Sequence, residues 1–175
     1  MGRVGYTTYA RGYDELKPKT KEGKDRWGDI GITLIDSLDT LWLLGMKEEF
    51  WKGRDWVRDN LKHNKYYVAS VFKTTIKSMD GLLSAYDWSG DSVFLEQALD
   101  LGRRLIHSFN NTPTGIPFGT VNLQTGETSY VKHAKKKVIL SESTTLQLEF
   151  RYLDQVFNTA EIADMRRKVE RVYKS

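Results

Sequence analysis

Lys73, Lys77 and Asp80 form one stripe of SVFKTTIKSMDGLLSAY, residues 70–86, at steps of four and three. On a helix those steps place the three charges on one side. Two ammonium groups and a carboxylate so placed can hold an anion, order a hydroxylated ligand, or simply face water. Spacing alone favours water: the two lysines repel mildly, and Asp80 near Lys77 relieves part of that. Asp36 and Asp39 pose the opposite problem. They lie in LIDSLDT, inside the most apolar segment of the chain, where an unpaired carboxylate is costly. Capping of nearby backbone, a Lys or Arg partner, or a polar cavity would each answer it. Glu142 follows Ser141 just inside an expected helix start, where an acid suits the helix dipole. Glu149, in LQLEFRYL, is ringed by apolar residues, and Arg151 or a neighbouring helix is its expected partner.

Several other chemistries are excluded or unsupported. The chain has no cysteine, so disulfides and Cys-ligated metal sites are ruled out. His63, His107 and His133 lack metal-ligand spacing and read as ordinary surface or core histidines. GDIG and GRR lack the strand-to-helix setting of a phosphate loop, and no Gly-x-Ser-x-Gly elbow occurs. No apolar run reaches the ~18 residues of a membrane span. The stretch MGRVGYTTYARGYDELKP carries no hydrophobic signal segment. Met-Gly opens it, but Tyr6 stands where a myristoylation pattern wants Ser or Thr. The net charge of +4 comes from basic residues dispersed among acids. The one dense run, KHAKKK at 132–137, reads as a solvated loop rather than a nucleic-acid or membrane patch. Asn110-Asn111-Thr112 is a formal glycosylation sequon, followed by Pro113.

The elements that must position these groups are helical. Residues 1–27 read as an extended lead-in or a short first helix. GDIGITLIDSLDTLWLLGM then sets Ile32, Ile35, Leu38, Trp42 and Leu43 near helical spacing, with Gly45 suited to the stop. A second helix is expected over Lys47–Leu61 and a third over Ser70–Trp88, its apolar face being Phe72, Ile76, Met79, Leu83 and Tyr86. Ser89-Gly90-Asp91 separates it from a fourth over Ser92–Phe109, with Asp91 as N-cap. NNTPTGIPFGTVNLQTGETSYV is a long irregular connection with a hairpin expected around VNLQTGET. Helices resume over Leu140–Phe157 and Glu161–Tyr173. Repeated helix–turn–helix units imply an all-α chain, either a solenoid or an α/α barrel.

GYDELKP, GITLIDSLDTLWLLGMKEEF, SVFKTTIKSMDGLLSAYDWSGD, NTPTGIPFGTVNL and LSESTTLQLEFRYL, taken in order, resemble glycoside hydrolase family 47, the class I α-1,2-mannosidases. The resemblance implies a toroid of seven helical hairpins, of which residues 1–175 would form an incomplete N-terminal part with no second domain. It implies an inverting, calcium-dependent hydrolysis of α-1,2-linked mannose in high-mannose N-glycans, in the endoplasmic reticulum or Golgi. Inverting enzymes hold an acid and a base about 6.5–9.5 Å apart to admit a water.

Two departures limit what carries over. The family pattern has Glu where this chain has Lys73, Arg at Lys77 and Gly at Asp80. That Glu is the expected proton donor to the leaving oxygen. A lysine ammonium, with a reference pKa of about 10.4, is a poor donor at neutral pH and cannot accept a hydrogen bond from water. Lys77 keeps the Arg charge without its planar fork, and Asp80 is expected to pair with the two lysines. The chain also matches only the N-terminal third or so of the family domain, without the later carboxylates or the Thr that ligates calcium. No intact catalytic residue and no metal site are therefore expected. Glu142, Lys77, Asp36 and Asp39 are expected to contact sugar. A non-catalytic glycan-binding module and a helical interaction protein are the alternatives. Apolar faces around Trp42 and Leu148, left open by absent hairpins, should favour self-association.

Overall fold

A computed structural model describes residues 2–110, 112, 115–130 and 139–174. Helix α1 (Gly2–Tyr9) leads into a two-stranded antiparallel hairpin, β1 (Glu15–Lys17) and β2 (Glu22–Lys24). The lead-in thus contains both a short helix and a small sheet. Asp14 explains how this polar segment holds its shape. Its fully buried carboxylate accepts backbone N–H groups from Trp27 at 2.7 Å and Asp29 and Ile30 at 3.0 Å. A fourth comes from Ile32 at 3.3 Å. One side chain therefore ties the turn after β2 to the start of the next helix.

The expected helix over GDIGITLIDSLDTLWLLGM is two short ones, α2 (Ile32–Asp36) and α3 (Leu38–Leu43). Gly31 enters α2 in the left-handed region, and Ser37 breaks the run, its hydroxyl donating to the Leu34 carbonyl. The apolar pattern is continuous, but this local hydrogen bond competes with the helical ladder. α4 (Lys47–Asn60) follows after Gly45. β3 (Val68–Ser70) opens the long helix of the Lys73 stripe. That helix comprises α5 (Val71–Thr74), a π-helical turn over Thr75–Met79 and α6 (Asp80–Ser89).

The π turn has a packing consequence. It inserts an extra residue into one turn, so the face expected at Phe72, Ile76, Met79, Leu83 and Tyr86 is displaced. Met79 and Leu83 stay buried as expected, joined by Val71, Thr75, Ser78, Leu82 and Ala85, while Phe72, Ile76 and Tyr86 are only partly so. Gly90, left-handed at φ 69°, ends α6. The Asp91 carboxylate accepts the Val93 N–H at 3.0 Å and starts α7 (Ser92–Leu105), which runs into a 3-10 turn over Ile106–Phe109.

β4 (Thr120–Asn122) and β5 (Thr128–Ser129) form the expected hairpin, and β4 also pairs with β3. The last segment is α8 (Leu140–Thr144), α9 (Gln147–Phe157) and α10 (Ala160–Glu170), then a 3-10 turn over Arg171–Lys174. The single helix expected over Leu140–Phe157 is interrupted at Thr145-Leu146. The helices form two rows. α2/α3, α5/α6 and α9 pack side by side, and α4, α7 and α10 lie behind them as partners in helical hairpins. Phe50, Phe94, Phe150, Leu101 and Met79 fill the space between the rows.

The rows approach closely where α6 meets α2. A Cβ at Gly81 would sit 2.7 Å from the Ile35 carbonyl oxygen. Backbone cannot yield there as a flexible side chain can. Gly81→Ala should therefore destabilise the fold by about 2 kcal/mol, despite alanine's better helix propensity. Urea denaturation of the two proteins measures the difference, and equal midpoints would contradict the close approach.

Candidate functional site

The stripe of Lys73, Lys77 and Asp80 is not one surface. The Lys73 backbone N–H donates to the Ser70 hydroxyl at 3.4 Å, and its exposed ammonium lies 5.5 Å from the Trp27 ring centroid. The Trp27 indole N–H donates to Glu15 at 3.1 Å, and the Trp27 amide is held by Asp14. Lys73 therefore rests on the hairpin side of the molecule, in a cation–π contact of the exposed kind, worth about 0.5–1 kcal/mol. Lys77 turns the other way and forms an ion pair with Asp36 at 2.8 Å. Both partners are more than a third exposed, so this contact positions side chains more than it stabilises the fold.

Asp80 does not pair with either lysine. No ion-pair or hydrogen-bond partner for it is seen among the described residues. It sits half-buried at the start of α6, where burial pushes its carboxyl above the usual range and the charges of Asp39 and Asp36 push the same way. The π turn explains the failed expectation, because residues before and after it lie on different faces. Lys77 spends its charge on Asp36, across the α2–α5/α6 contact.

Asp39 lies in the first turn of α3 and accepts from the Thr40 backbone N–H and hydroxyl. Of the three answers considered for the LIDSLDT pair, Asp36 takes a Lys partner and Asp39 takes local backbone. Glu142 is in the first turn of α8, as expected, and is partly buried. No hydrogen bond or ion pair joins it to Lys73, Lys77, Asp36 or Asp39. The KHAKKK run and His133 lie outside the described residues.

Two features central to this region were not legible in the sequence, the unpartnered state of the Glu149 carboxylate and the part played by Trp27. Glu149, on α9, is 5% exposed, and its Oε2 has no hydrogen-bond partner. Its expected partner, Arg151, pairs with Glu170 at 2.9 Å instead, because alternate positions of α9 face opposite ways. Burial, helped by the charge of Asp80, raises the Glu149 carboxyl to about 7. Trp27 was the other omission. Its only signal was an aromatic beside Gly28-Asp29 in a polar segment.

His63 is a core histidine. Its Nδ1 meets Asp100 at 3.2 Å, Arg104 clamps the same carboxylate, and burial pulls the imidazole below its ordinary range. Among the described residues no group of three or more His, Asp or Glu could hold a metal ion. Among the same residues no helix is long and apolar enough to cross a membrane.

Two rows of helical hairpins, with Lys77, Asp36, Asp39 and Asp80 near one another where α2, α3 and α5/α6 meet, define part of an α/α toroid. The chain belongs to glycosyl hydrolase family 47, whose family model matches residues 4–175. Similar relatives include a mannosyl-oligosaccharide 1,2-alpha-mannosidase of Arabidopsis thaliana, 50% identical over 86% of this chain and 27% of the relative. Another is the endoplasmic reticulum mannosyl-oligosaccharide 1,2-alpha-mannosidase of Rattus norvegicus, 45% identical over 87% of this chain and 23% of the relative. Among solved structures, an alpha-1,2-mannosidase from Trichoderma reesei superposes with a TM-score of 0.84 at 25% identity, covering 97% of this chain and 37% of that one. The chain thus spans about a quarter of the length of these curated relatives.

Proposed function

We infer that residues 1–175 form the opening part of an α-1,2-mannosidase domain in which the proton-donating step has been lost. The observation that carries this reading is Lys73. Family resemblance puts a carboxylic acid there, and the structure has an exposed ammonium over Trp27. An ammonium can neither deliver a proton readily at neutral pH nor accept one from water. The family Arg is represented by Lys77, which is occupied by Asp36.

The substrate class supported by the relatives' names is a mannosyl-oligosaccharide, of which the high-mannose N-glycan is the family form. Glu142, Lys77, Asp36 and Asp39 are the residues we assign to sugar contact. Each is at least partly exposed and keeps polar atoms that could meet hydroxyls. The rat relative's name supports the endoplasmic reticulum as the working compartment, with the Golgi as the family alternative. Calcium belongs to the family reaction, but the described residues offer no cage for it.

Purified chain, incubated with calcium and a high-mannose glycan, should release no mannose. Lys73→Glu alone should not restore release, since an acid without its partner carboxylate is insufficient. Free mannose is measured by chromatography, and release above a no-protein control by the unaltered chain would overturn the inference.

A further inference from the structure

A polar cleft contains none of the residues assigned above. It has a volume of about 440 Å³ and sits between the α1–β1 turn, the segment joining β2 to α2, and the end of α4. Arg11, Tyr13, Asp25, Asp29, Trp56 and Lys65 line it, and none belongs to the Lys73–Asp36–Glu142 set.

Its aromatic walls are fixed in place. A Cβ at Gly12 would come within 2.5 Å of the Trp56 indole nitrogen, and one at Gly31 within 2.4 Å of the far edge of the same ring. Both glycines have positive φ, 87° and 63°. Backbone thus clamps the indole at two edges, while its N–H has no partner among the described residues. Gly23 lies against the Tyr13 ring, 2.3 Å from its Cγ by the same measure. That covers one face, yet Tyr13 remains 46% exposed, so the other face is presented.

The charges balance. Asp29 is neutralised by Lys65. Arg11 is exposed with no partner among the described residues, and the Asp25 carboxylate uses one oxygen on the Asp14 N–H at 3.1 Å. A cationic fork, a carboxylate oxygen and an indole N–H around an open aromatic face suit a neutral ligand with several hydroxyls. They offer an anion no net attraction, because Asp25 offsets Arg11 and Lys65 is paired with Asp29, and an apolar group would strand the polar atoms.

We propose that this cleft binds one neutral pyranose residue, stacked on Tyr13 and hydrogen-bonded by Arg11, Asp25 and the Trp56 indole N–H. The site is independent of the hydrolase reading and needs no residue of the Lys73 stripe. With one stacking face and a few solvent-exposed hydrogen bonds, the Kd should be on the order of 1–10 mM.

Saturation-transfer difference NMR with methyl α-mannopyranoside tests it and tolerates self-association of the protein. Transfer to the sugar ring protons is expected from the unaltered chain. Tyr13→Ala should lower it to what the Glu142–Lys77–Asp36–Asp39 set supplies, and Arg11→Ala, an exposed substitution, should weaken binding at the cleft about tenfold. Lys73→Ala should leave it unchanged. Absence of transfer from the unaltered chain would overturn the proposal. So would transfer undiminished by both Tyr13→Ala and Arg11→Ala, which would leave sugar binding wholly to the Glu142–Lys77–Asp36–Asp39 set. Mannose release in the glycan assay has no bearing on these outcomes.

Discussion

Asp14→Ala should cost about 4 kcal/mol of folding stability, a large part of the 5–15 kcal/mol typical of a whole domain. The carboxylate has no solvent contact and accepts four backbone N–H groups, from Trp27, Asp29, Ile30 and Ile32. Removing it strands donors in a region closed to water, and each stranded donor costs about 1–3 kcal/mol before relaxation. Asp14→Asn retains one acceptor oxygen and turns an NH₂ group toward donors, so an intermediate loss of about 2 kcal/mol is expected. Chemical denaturation gives the totals. Hydrogen exchange gives the location, since the amides of residues 27, 29, 30 and 32 should lose protection together. A stability within 1 kcal/mol of the unaltered chain would show that the segment is held by something else. Because Trp27 carries the Lys73 ammonium, the same substitution should also release that side chain.

Glu149→Gln should stabilise the protein at pH 8 and leave it nearly unchanged at pH 4.5. The folded-state carboxyl is raised to about 7 from an ordinary 4.5, chiefly by burial. Over that interval the folded chain keeps a proton that the unfolded chain has released, so stability falls as pH rises from 4.5 to 7. At 1.36 kcal/mol per pH unit the loss approaches roughly 3 kcal/mol. Glutamine mimics the protonated acid and should remove the slope. His63 works in the other direction: its depressed pKa means that stability is lost as pH falls below about 6.5, the ordinary histidine value. The unaltered chain should therefore be squeezed from both sides, whereas the variant should decline only toward acid. Urea denaturation from pH 5 to 8 separates these cases, and parallel curves for the two proteins would refute the assignment.

Much of the architecture was readable from local signals. Ser89-Gly90-Asp91 punctuated two helices because glycine accepts the left-handed region and aspartate caps. VNLQTGET turned because Gly126 does the same. The order of five blocks placed the chain in its family. What escaped depended on contacts distant in sequence or on small departures from ideal helix. The Asp14 carboxylate binds amides 13 to 18 residues away, a span no window of periodicity covers. Glu149 and Arg151 are two residues apart, which on a helix points them to different surroundings. The surface around Trp42 and Leu148 was expected to be open, and Leu43, Leu44 and Leu148 are exposed there, although the Trp42 ring itself is packed by Phe50 and Trp51. The candidate site was legible as a set of residues and illegible as a geometry.

The π turn between Thr75 and Met79 gives length a meaning that identity lacks. Lys73 faces Trp27, and Asp80 faces Asp36, Asp39 and Glu149, only because of the number of residues counted between them. Substitutions in the turn alter chemistry while preserving that count. Loss of a single residue would re-phase everything after it by about a hundred degrees, the angle one residue subtends on a helix. The two halves of this helix are thus held in relation by an integer, and comparison of related chains at this position should weigh gaps as heavily as exchanges.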